Sequence, residues 1–349
     1  MNNVIKTPSA PWSNGIGTNV ENCHTAAEVM AAAGLNFNVQ KCELVARMPF
    51  TVGGNLALNE ENDDFAYNGQ LYRTCHKAYA TYRTDINMPL GVVKDDYNVV
   101  QNVDAFTFFD DAIGEGKAQF VRAGQFGFGE KIFVTVKLPD TFEIGGDPVD
   151  NYLVFSNSHN GMSSVAILFT PLRVMCTNML VAATDTASSS IRLRHTASVH
   201  GRLATGAEIL KAATMRAETT RDLYNSLNVL KKSDEEVMRY IAQVYLSDEE
   251  FAAVDSFDQH AFRKLMQRDG SLIESANIST RKLNVITDTY EYYHIGVAQQ
   301  DIIGTAWGAY NAITGYYSNV AKYDGEKRAN SLLYGNANRV ISNALKLAM

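Results

Sequence analysis

The sequence has few cysteines, and their positions fit neither disulfide pairing nor metal binding. Four occur in 349 residues, far apart, at Cys23, Cys42, Cys75 and Cys176. Without a C-x-x-C motif or a regular spacing they predict neither a disulfide framework nor a zinc site. We therefore expect a reducing compartment.

Long hydrophobic runs and a signal peptide are also missing. No apolar stretch approaches the roughly 18 to 20 residues that cross a membrane. The start, MNNVIKTPSAPW, lacks the basic and apolar regions of a signal peptide. We expect a cytoplasmic protein with no membrane partner and no metal or other cofactor.

The chain has no large excess of one charge, but its charges are unevenly spread. The net charge is −7, and residues 161–232 carry nine Lys and Arg against four Asp and Glu. The rest of the chain therefore carries −12, a distribution that predicts one basic surface on an acidic body. A hydrophobic fraction of 46%, with 16 Phe and 17 Tyr, suffices to build the core of one large domain or two ordinary ones.

The first third of the sequence predicts a mixture of helices and strands. Residues 24–34 predict a short helix with Thr25 as its N-cap and Gly34 at its end. Further along, the patterns predict an exposed loop over 53–70, two strands within 78–100 around Asn87-Met88-Pro89, and a helix over 101–113.

The central third predicts an antiparallel sheet followed by a helix. Residues 131–138 alternate, which is typical of a strand with one buried face. Its core face would hold Ile132, Val134, Val136 and Leu138, and its open face Lys131, Phe133, Thr135 and Lys137. Two apolar runs, 152–157 and 163–170, flank Asn160-Gly161, which favours a hairpin. A helix is then expected to begin at Thr170-Pro171 and to bury Cys176.

The second half of the sequence predicts mainly helices. A short strand over 191–195 would place Arg192 and Arg194 on one face. Residues 203–268 are predicted to be mostly helical, with new helices capped by Ser233 and Ser247, and 300–348 form further helices. The predicted fold class is α+β. The predicted divisions are an N-terminal α/β segment (1–95), a sheet-and-helix core (96–202) and a helical region (203–349).

Several motifs resemble a family of phage- and plasmid-borne proteins, the domain-of-unknown-function 932 family. The matching segments are Pro11–Thr18, Leu90–Val93, Tyr97–Asn102, Asn157–Gly161, Phe169–Leu180, Arg192–Thr196 and Trp307–Ala312. Three positions depart from the family pattern: Ser13 replaces a histidine, Asn14 replaces a glycine, and Asn160 stands where aspartate is commoner. The resemblance implies a bacterial mobile element and a host-cytoplasmic setting. It implies no particular activity.

The sequence offers no convincing catalytic site, so we expect a non-enzymatic protein. The glycines of Gly15-x-Gly17 and Gly124-x-x-Gly127-x-Gly129 fit turns better than a phosphate loop. His159 could bind metal, but its Asn-Gly turn explains the segment without chemistry. Cys176 fits a buried thiol better than a nucleophile. The adjacent aspartates, for example Asp95-Asp96, would point to opposite faces of a strand.

A basic, partly aromatic surface is the strongest functional signal. Single-stranded nucleic acid is held by cations that track its phosphates and by rings on which its bases stack. The candidate residues are Lys131, Phe133, Lys137, Arg173, Arg192, Arg194 and Arg202, with Phe126 and Phe128 preceding them. The same residues also fit an ordinary half-exposed sheet face or a subunit contact.

Three functional hypotheses follow. The leading one is single-stranded DNA binding, of an annealing or recombination kind, by a homo-oligomer. The order helix, strands, helix over 101–184 is similar to the core of single-strand annealing proteins, an analogy at the level of fold. The second hypothesis is a structural protein that assembles without nucleic acid or binds a host factor. The third is a metal-dependent hydrolase or nuclease built from scattered His, Asp and Glu.

Overall fold

A computed structural model describes residues 17–51, 64–106, 110, 118–173, 190–195, 206–322 and 325–349. The fold is α+β, as the sequence predicts: two antiparallel sheets are followed by a C-terminal half made mainly of helices. Arg202 and Cys176 lie outside the described residues. Residues 174–184 of the helix predicted from Thr170 also lie outside them. The divisions predicted at 95/96 and 202/203 stay predictions.

The larger sheet has six antiparallel strands in the order β1-β6-β7-β8-β9-β10. Its strands are β1 (Thr18–Asn19), β6 (Gln119–Phe126), β7 (Lys131–Ile144), β8 (Asp147–Ser158), β9 (Val165–Arg173) and β10 (Ser190–Leu193). Short turns join β6 to β7 and β7 to β8, so the middle of the sheet is a meander. The arginine-bearing strand β10 lies at one end of this order, against β9.

The smaller sheet is built on one long strand. It comprises β2 (Val39–Thr51), β3 (Asp64–Tyr67), β4 (Gln70–Arg83) and β5 (Met88–Lys94). β4 pairs with β2 on one side and with β3 and β5 on the other. The two strands predicted within 78–100 are therefore confirmed. The exposed loop predicted over 53–70 is wrong for its last part, because residues 64–67 and 70 pair in this sheet.

Helices pack on both sheets and form most of the second half. Their bounds are α1 (Ala26–Ala33), α2 (Asn102–Phe106), α3 (Gly206–Val229), α4 (Asp234–Tyr245), α5 (Asp248–Asp255), α6 (Ala261–Met266), α7 (Gly270–Ser275), α8 (Thr280–Ile295), α9 (Ala306–Gly315), α10 (Gly325–Tyr334) and α11 (Asn336–Ala348). None of the helices in the described ranges is both long and apolar enough to cross a membrane.

Local sequence accounts for the helix ends. The side chain of Thr25 accepts a hydrogen bond from the Glu28 N–H, and Gly34 ends α1 in the left-handed conformation. Ser233 and Ser247 each form a complete capping box with the glutamate three residues on. All of these caps confirm the predictions made from spacing alone.

The helix expected to begin at Thr170 is wrong at its start. Thr170 to Arg173 continue strand β9, where Pro171 lies opposite Asn151 of β8. Among the described residues β10 pairs only with Val165–Leu168 of β9, so the second edge of β9 has no strand partner at Pro171. A proline that lacks an N–H is tolerated at such an edge. The capping signal was therefore outweighed by pairing with β8.

The open face predicted for 131–138 is also wrong, because both faces of the larger sheet are covered. Ile132, Val134 and Val136 pack in one core cluster with α1 and α2. On the other face, Val154 and Leu168 belong to the cluster formed with the C-terminal helices. A strand that is buried on both faces can still show alternating apolar and polar residues, because its polar side chains can contact polar partners in the interior.

Candidate functional site

Two of the residues predicted to bind nucleic acid lie in the interior. The side chain of Phe133 is 1% exposed and packs against Phe126, with ring centroids 5.3 Å apart, beneath Ala329 of α10. It cannot stack on a base. Its assignment to an open face is wrong because α10 covers this part of the sheet.

Arg173 is likewise buried, with 1% exposure, and its assignment to the basic surface is wrong. Its guanidinium forms an ion pair with Asp147 and donates to the Asn311 side chain and the Ala298 carbonyl. These bonds connect β9 to β8 and to the helical half. A charge inside a protein needs such partners, and no local pattern around Arg173 indicates them.

Lys137 lies at the surface but is bound to a carboxylate. Its Nζ lies 2.6 Å from Asp150 Oδ2 on the neighbouring strand, and Thr141 donates to the other oxygen of Asp150. The pairing neutralises the charge that the sequence assigned to phosphate binding.

The structure brings Lys131 and Arg192 together. Phe133 of β7 lies in one row with Ser156, Ala166 and Arg192 across four adjacent strands. Lys131 shares that face two residues along β7, whereas Ser156 and Ala166, between Phe133 and Arg192, are buried. The pKa of Lys131 is lowered by burial and, next, by the charge of Arg192.

A tyrosine from the last third of the chain, Tyr334, lies against Lys131. The Lys131 ammonium lies 4.3 Å from the centre of the Tyr334 ring, and Arg192 is close enough to influence the Tyr334 phenol. Arg194 follows the strand and is exposed. The sequence marked Tyr334 only as one of several C-terminal aromatics, because no local pattern connects it to residue 131.

An exposed phenylalanine lies in the turn that precedes Lys131. Phe128, in the turn between β6 and β7, is 56% exposed, and Lys131 begins the next strand. We call Phe128, Lys131, Arg192 and Arg194 the sheet-end surface. The nearby acids Glu130 and Glu326 each accept a hydrogen bond from a backbone N–H of the turn, at Phe128 and Gly127 respectively.

A second polar site is buried beside the predicted surface, along the segment that leads into α2. We call Asn98, Asn102, Asn157, His159 and His195 the histidine–asparagine cluster. Three of its side chains bond to this segment at alternate residues: His195 Nδ1 to the Asn98 carbonyl (3.1 Å), Asn157 Nδ2 to the Val100 carbonyl (2.8 Å) and His159 Nε2 to Asn102 Oδ1 (2.8 Å).

Each of these three side chains also has a polar atom without a partner. Within the described part of the chain, His159 Nδ1, His195 Nε2 and Asn157 Oδ1 are buried and make no hydrogen bond. Burial lowers the pKa of His159 to about 3, helped by the nearby His195 and Arg83. Burial also lowers the pKa of His195, against a smaller opposing effect of its bond to Asn98.

Segments distant in sequence meet at this cluster. The Tyr97 ring stacks on His195 with centroids 4.5 Å apart, and its hydroxyl donates to the Ser158 carbonyl. The Thr81 hydroxyl donates to the His159 carbonyl at 2.6 Å. Four of the segments that carry the family resemblance therefore converge here: Leu90–Val93, Tyr97–Asn102, Asn157–Gly161 and the Arg192–His195 part of Arg192–Thr196.

The sequence singled out His159 but missed its surroundings. The turn predicted at Asn160-Gly161 is present, and Gly161 has a φ of 72°, but the connection runs from 159 to 164. His159 is thereby directed into the interior rather than displayed on a tight hairpin. The spacing of residues 98, 100 and 102 was the one available signal, and it could not reveal three partners that lie 57 to 97 residues away.

The remaining sequence candidates have structural roles where they are described. Gly127 and Gly129 have φ values of 60° and 110° and form the β6–β7 turn, as predicted. Asp110 accepts a hydrogen bond from Ala26 at the start of α1. Over the described ranges, no three His, Cys, Asp or Glu side chains gather closely enough to hold a metal ion.

Comparison with known proteins yields one match. The family described as "Domain of unknown function (DUF932)" matches residues 89–340. This range contains the sheet-end surface and the whole histidine–asparagine cluster. No curated protein and no solved structure matches the chain significantly.

Proposed function

The chain belongs to the DUF932 family, and from that premise we propose that it binds single-stranded nucleic acid at the sheet-end surface, without catalysis. The supporting observation is that Lys131 and Arg192 lie on the same face of the larger sheet, although they are 61 positions apart in sequence and on strands that are not neighbours. The charge of Arg192 contributes to the lowered pKa of Lys131. A phosphate that lies near both side chains can be bound by two cations at once.

The surroundings of these cations fit an anionic polymer. Glu130 and Glu326 lie nearby, but each has one oxygen engaged by the backbone of the 127–130 turn. The acidic body of the protein repels nucleic acid elsewhere, which confines binding to this surface. The affinity should therefore fall steeply as salt is added, because phosphate binding releases counterions.

Phe128 supplies the ring that Phe133 cannot. Its side chain is 56% exposed and lies three residues from Lys131. A base stacked on such a ring contributes about 1–3 kcal/mol and needs no particular sequence. We propose accordingly that binding has little sequence preference and serves strand annealing or recombination in a phage or plasmid.

The test is a fluorescence anisotropy titration with labelled oligothymidine at several salt concentrations. Charge reversal by Arg192→Glu with Arg194→Glu should weaken binding at least about tenfold and lower the salt slope by about two phosphate contacts. Phe128→Ala should weaken binding without changing the salt slope, since it removes stacking alone.

The matched control is Arg221→Glu with Arg281→Glu, which makes the same charge change at exposed residues of the helical half. It should retain most of the affinity. Undetectable binding of the unaltered protein at low salt, or an equal loss in the control, would exclude the sheet-end surface as the binding site.

A second candidate function is assembly with another copy of this chain through the smaller sheet. Val45, Phe65 and Tyr67 are 39%, 42% and 66% exposed, and their strand registers place them on one face, where Phe65 stacks on Tyr72. In the described residues β2 pairs only with β4, so its outer edge offers backbone groups to a further strand.

Mass measurement in solution separates this function from the first. Assembly through the smaller sheet should occur without oligonucleotide and should weaken in Phe65→Glu with Tyr67→Glu. A monomer that assembles only when oligonucleotide is added would favour nucleic-acid binding instead. A host protein in place of a second copy would leave the isolated chain monomeric.

A further inference from the structure

We propose that the histidine–asparagine cluster binds a divalent transition metal of the zinc type, with His159 Nδ1, His195 Nε2 and Asn157 Oδ1 as ligands. The site is buried beside the sheet-end surface, since His195 follows Arg194 and the His159 N–H donates to the Glu130 carbonyl. Its proposed ligands are none of the sheet-end residues, and it does not depend on the function proposed above. Two of the three proposed ligands are histidines, and the third is the side-chain amide oxygen of Asn157.

The hydrogen bonds define which nitrogen of His159 carries the proton. Asn102 Nδ2 donates to the Leu35 carbonyl at 2.8 Å, so its other side-chain atom is the oxygen and can only accept. The His159 nitrogen that faces this oxygen, Nε2, must therefore donate. Nδ1 is left as a bare lone pair in the interior.

The same reasoning applies to His195 and Asn157. A backbone carbonyl only accepts, so His195 Nδ1 donates to the Asn98 carbonyl and Nε2 keeps its lone pair. Asn157 donates through Nδ2 to the Val100 carbonyl, which leaves Oδ1 to accept. The segment from Asn98 to Asn102 thus accepts the donors of three side chains. In the described part of the chain, the acceptor atoms of these side chains, His159 Nδ1, His195 Nε2 and Asn157 Oδ1, have no donor.

This arrangement is the one that prepares imidazoles for metal binding. Histidines that hold a metal almost always donate their other ring N–H to a carbonyl or a carboxylate, which fixes the tautomer and the orientation of the ring. Here both histidines do so, one to an amide oxygen and one to a backbone carbonyl.

The ligand types favour a borderline metal over a hard one. Imidazole nitrogen suits zinc, copper, iron and nickel, whereas calcium and magnesium require oxygen ligands. No carboxylate is among the three ligands, and the charge of Arg83 lies near His159. Arg83 is itself paired with Asp85 at 2.7 Å, which reduces its repulsion of a cation.

The experiment titrates the purified full-length protein, stripped of metal by a chelator, with Zn²⁺ by calorimetry and with Co²⁺ by visible absorption. We expect one equivalent of each ion, d–d bands from nitrogen-coordinated cobalt, and a rise in melting temperature with Zn²⁺. His159→Gln keeps a donor for Asn102, and His195→Asn keeps a donor for Asn98, while each removes the bare nitrogen. Each variant should lose at least tenfold in affinity.

His260→Gln, at an exposed histidine of the helical half, is the matched control and should bind like the unaltered protein. Circular dichroism and melting curves recorded without metal establish that the variants fold. The proposal is overturned if the protein with both His159→Gln and His195→Asn binds Zn²⁺ as tightly as the unaltered protein. It is also overturned if the unaltered protein shows no saturable binding. In the latter case the three acceptors bind internal water. Oligonucleotide binding in the presence of chelator tests the sheet-end surface separately.

Discussion

Gly91 shows how one residue can be determined by a contact far along the chain. It lies on β5, and a Cβ placed on it would come within 2.5 Å of Asn160 Cα and 2.6 Å of the Asn160 carbonyl oxygen. Backbone atoms cannot move aside as the end of a flexible side chain can. Only glycine allows β5 to approach the turn that carries His159.

Gly91→Ala should therefore destabilise the protein by about 1–3 kcal/mol, the cost of overpacking a close contact. Urea unfolding followed by circular dichroism measures the effect. Gly270→Ala is the control, because its Cβ would enter open space at the first residue of α7, and it should be neutral or more stable by about 0.5–1 kcal/mol. Equal unfolding midpoints for the two variants would contradict this account.

Residues of one chemical type have different roles according to their partners. Arg173, Arg192 and Arg194 all follow apolar strand residues in sequence, yet Arg173 is buried against Asp147 while Arg192 and Arg194 are exposed. The difference arises from which elements lie over each strand. Charge counted along the sequence therefore locates a basic region without separating its interior members from its surface members.

At the scale of elements, N-cap side chains determine where α4 and α5 begin. Ser233 accepts from the Glu236 N–H, and the Glu236 carboxylate accepts from the Ser233 N–H at 2.7 Å. These bonds hold the pKa of Glu236 below its usual value, with the backbone bond to Ser233 as the largest cause. Such short-range bonds act in any tertiary context, which is why spacing alone predicted them.

Ser233→Ala should reduce the free energy of unfolding by about 1 kcal/mol, because α4 loses its N-terminal hydrogen-bond acceptor. Thermal unfolding measured by calorimetry would show the change. Ser226→Ala is the matched control, since Ser226 is exposed within α3 and bonds only to its own helix, at the Leu223 carbonyl. If both alanine variants unfold at one temperature, the capping box contributes nothing measurable.

At the scale of the whole molecule, a buried ion pair joins the larger sheet to the helical half. Arg173 and Asp147 lie on neighbouring strands, and the same guanidinium reaches Asn311 of α9 and the Ala298 carbonyl. Apolar contacts between the sheet and the helices run through the cluster that contains Trp307 and Tyr310.

Arg173→Met should destabilise the protein by about 3–5 kcal/mol, because it leaves Asp147 charged and uncompensated in the interior. Adding Asp147→Leu should recover most of that loss, since an apolar pair of similar volume needs no counter-charge. Urea unfolding of both variants, and of Asp147→Leu alone, completes a double-mutant cycle. A double variant that is less stable than Arg173→Met would show that the ion pair is not the cause.

The sequence by itself determined the α+β class, β5 and parts of β4, β7, β8 and β9, the cap of α1, and both capping boxes. It did not predict β1, β2, β3 or β6. Each feature that it determined depends on residues within a few positions of one another, so a local pattern contains the whole cause. Family membership was also readable, because it depends on the order of motifs along the chain.

Only the tertiary structure decided which faces are open and which side chains meet. Pairing with β8 kept Thr170 to Arg173 in a strand despite a helix-start signal, and α10 buried Phe133. The approach of Lys131 to Arg192 and the gathering of His159, His195 and Asn157 along one segment join residues many positions apart. Their proximity is a product of packing between elements, and no periodicity in the sequence encodes it.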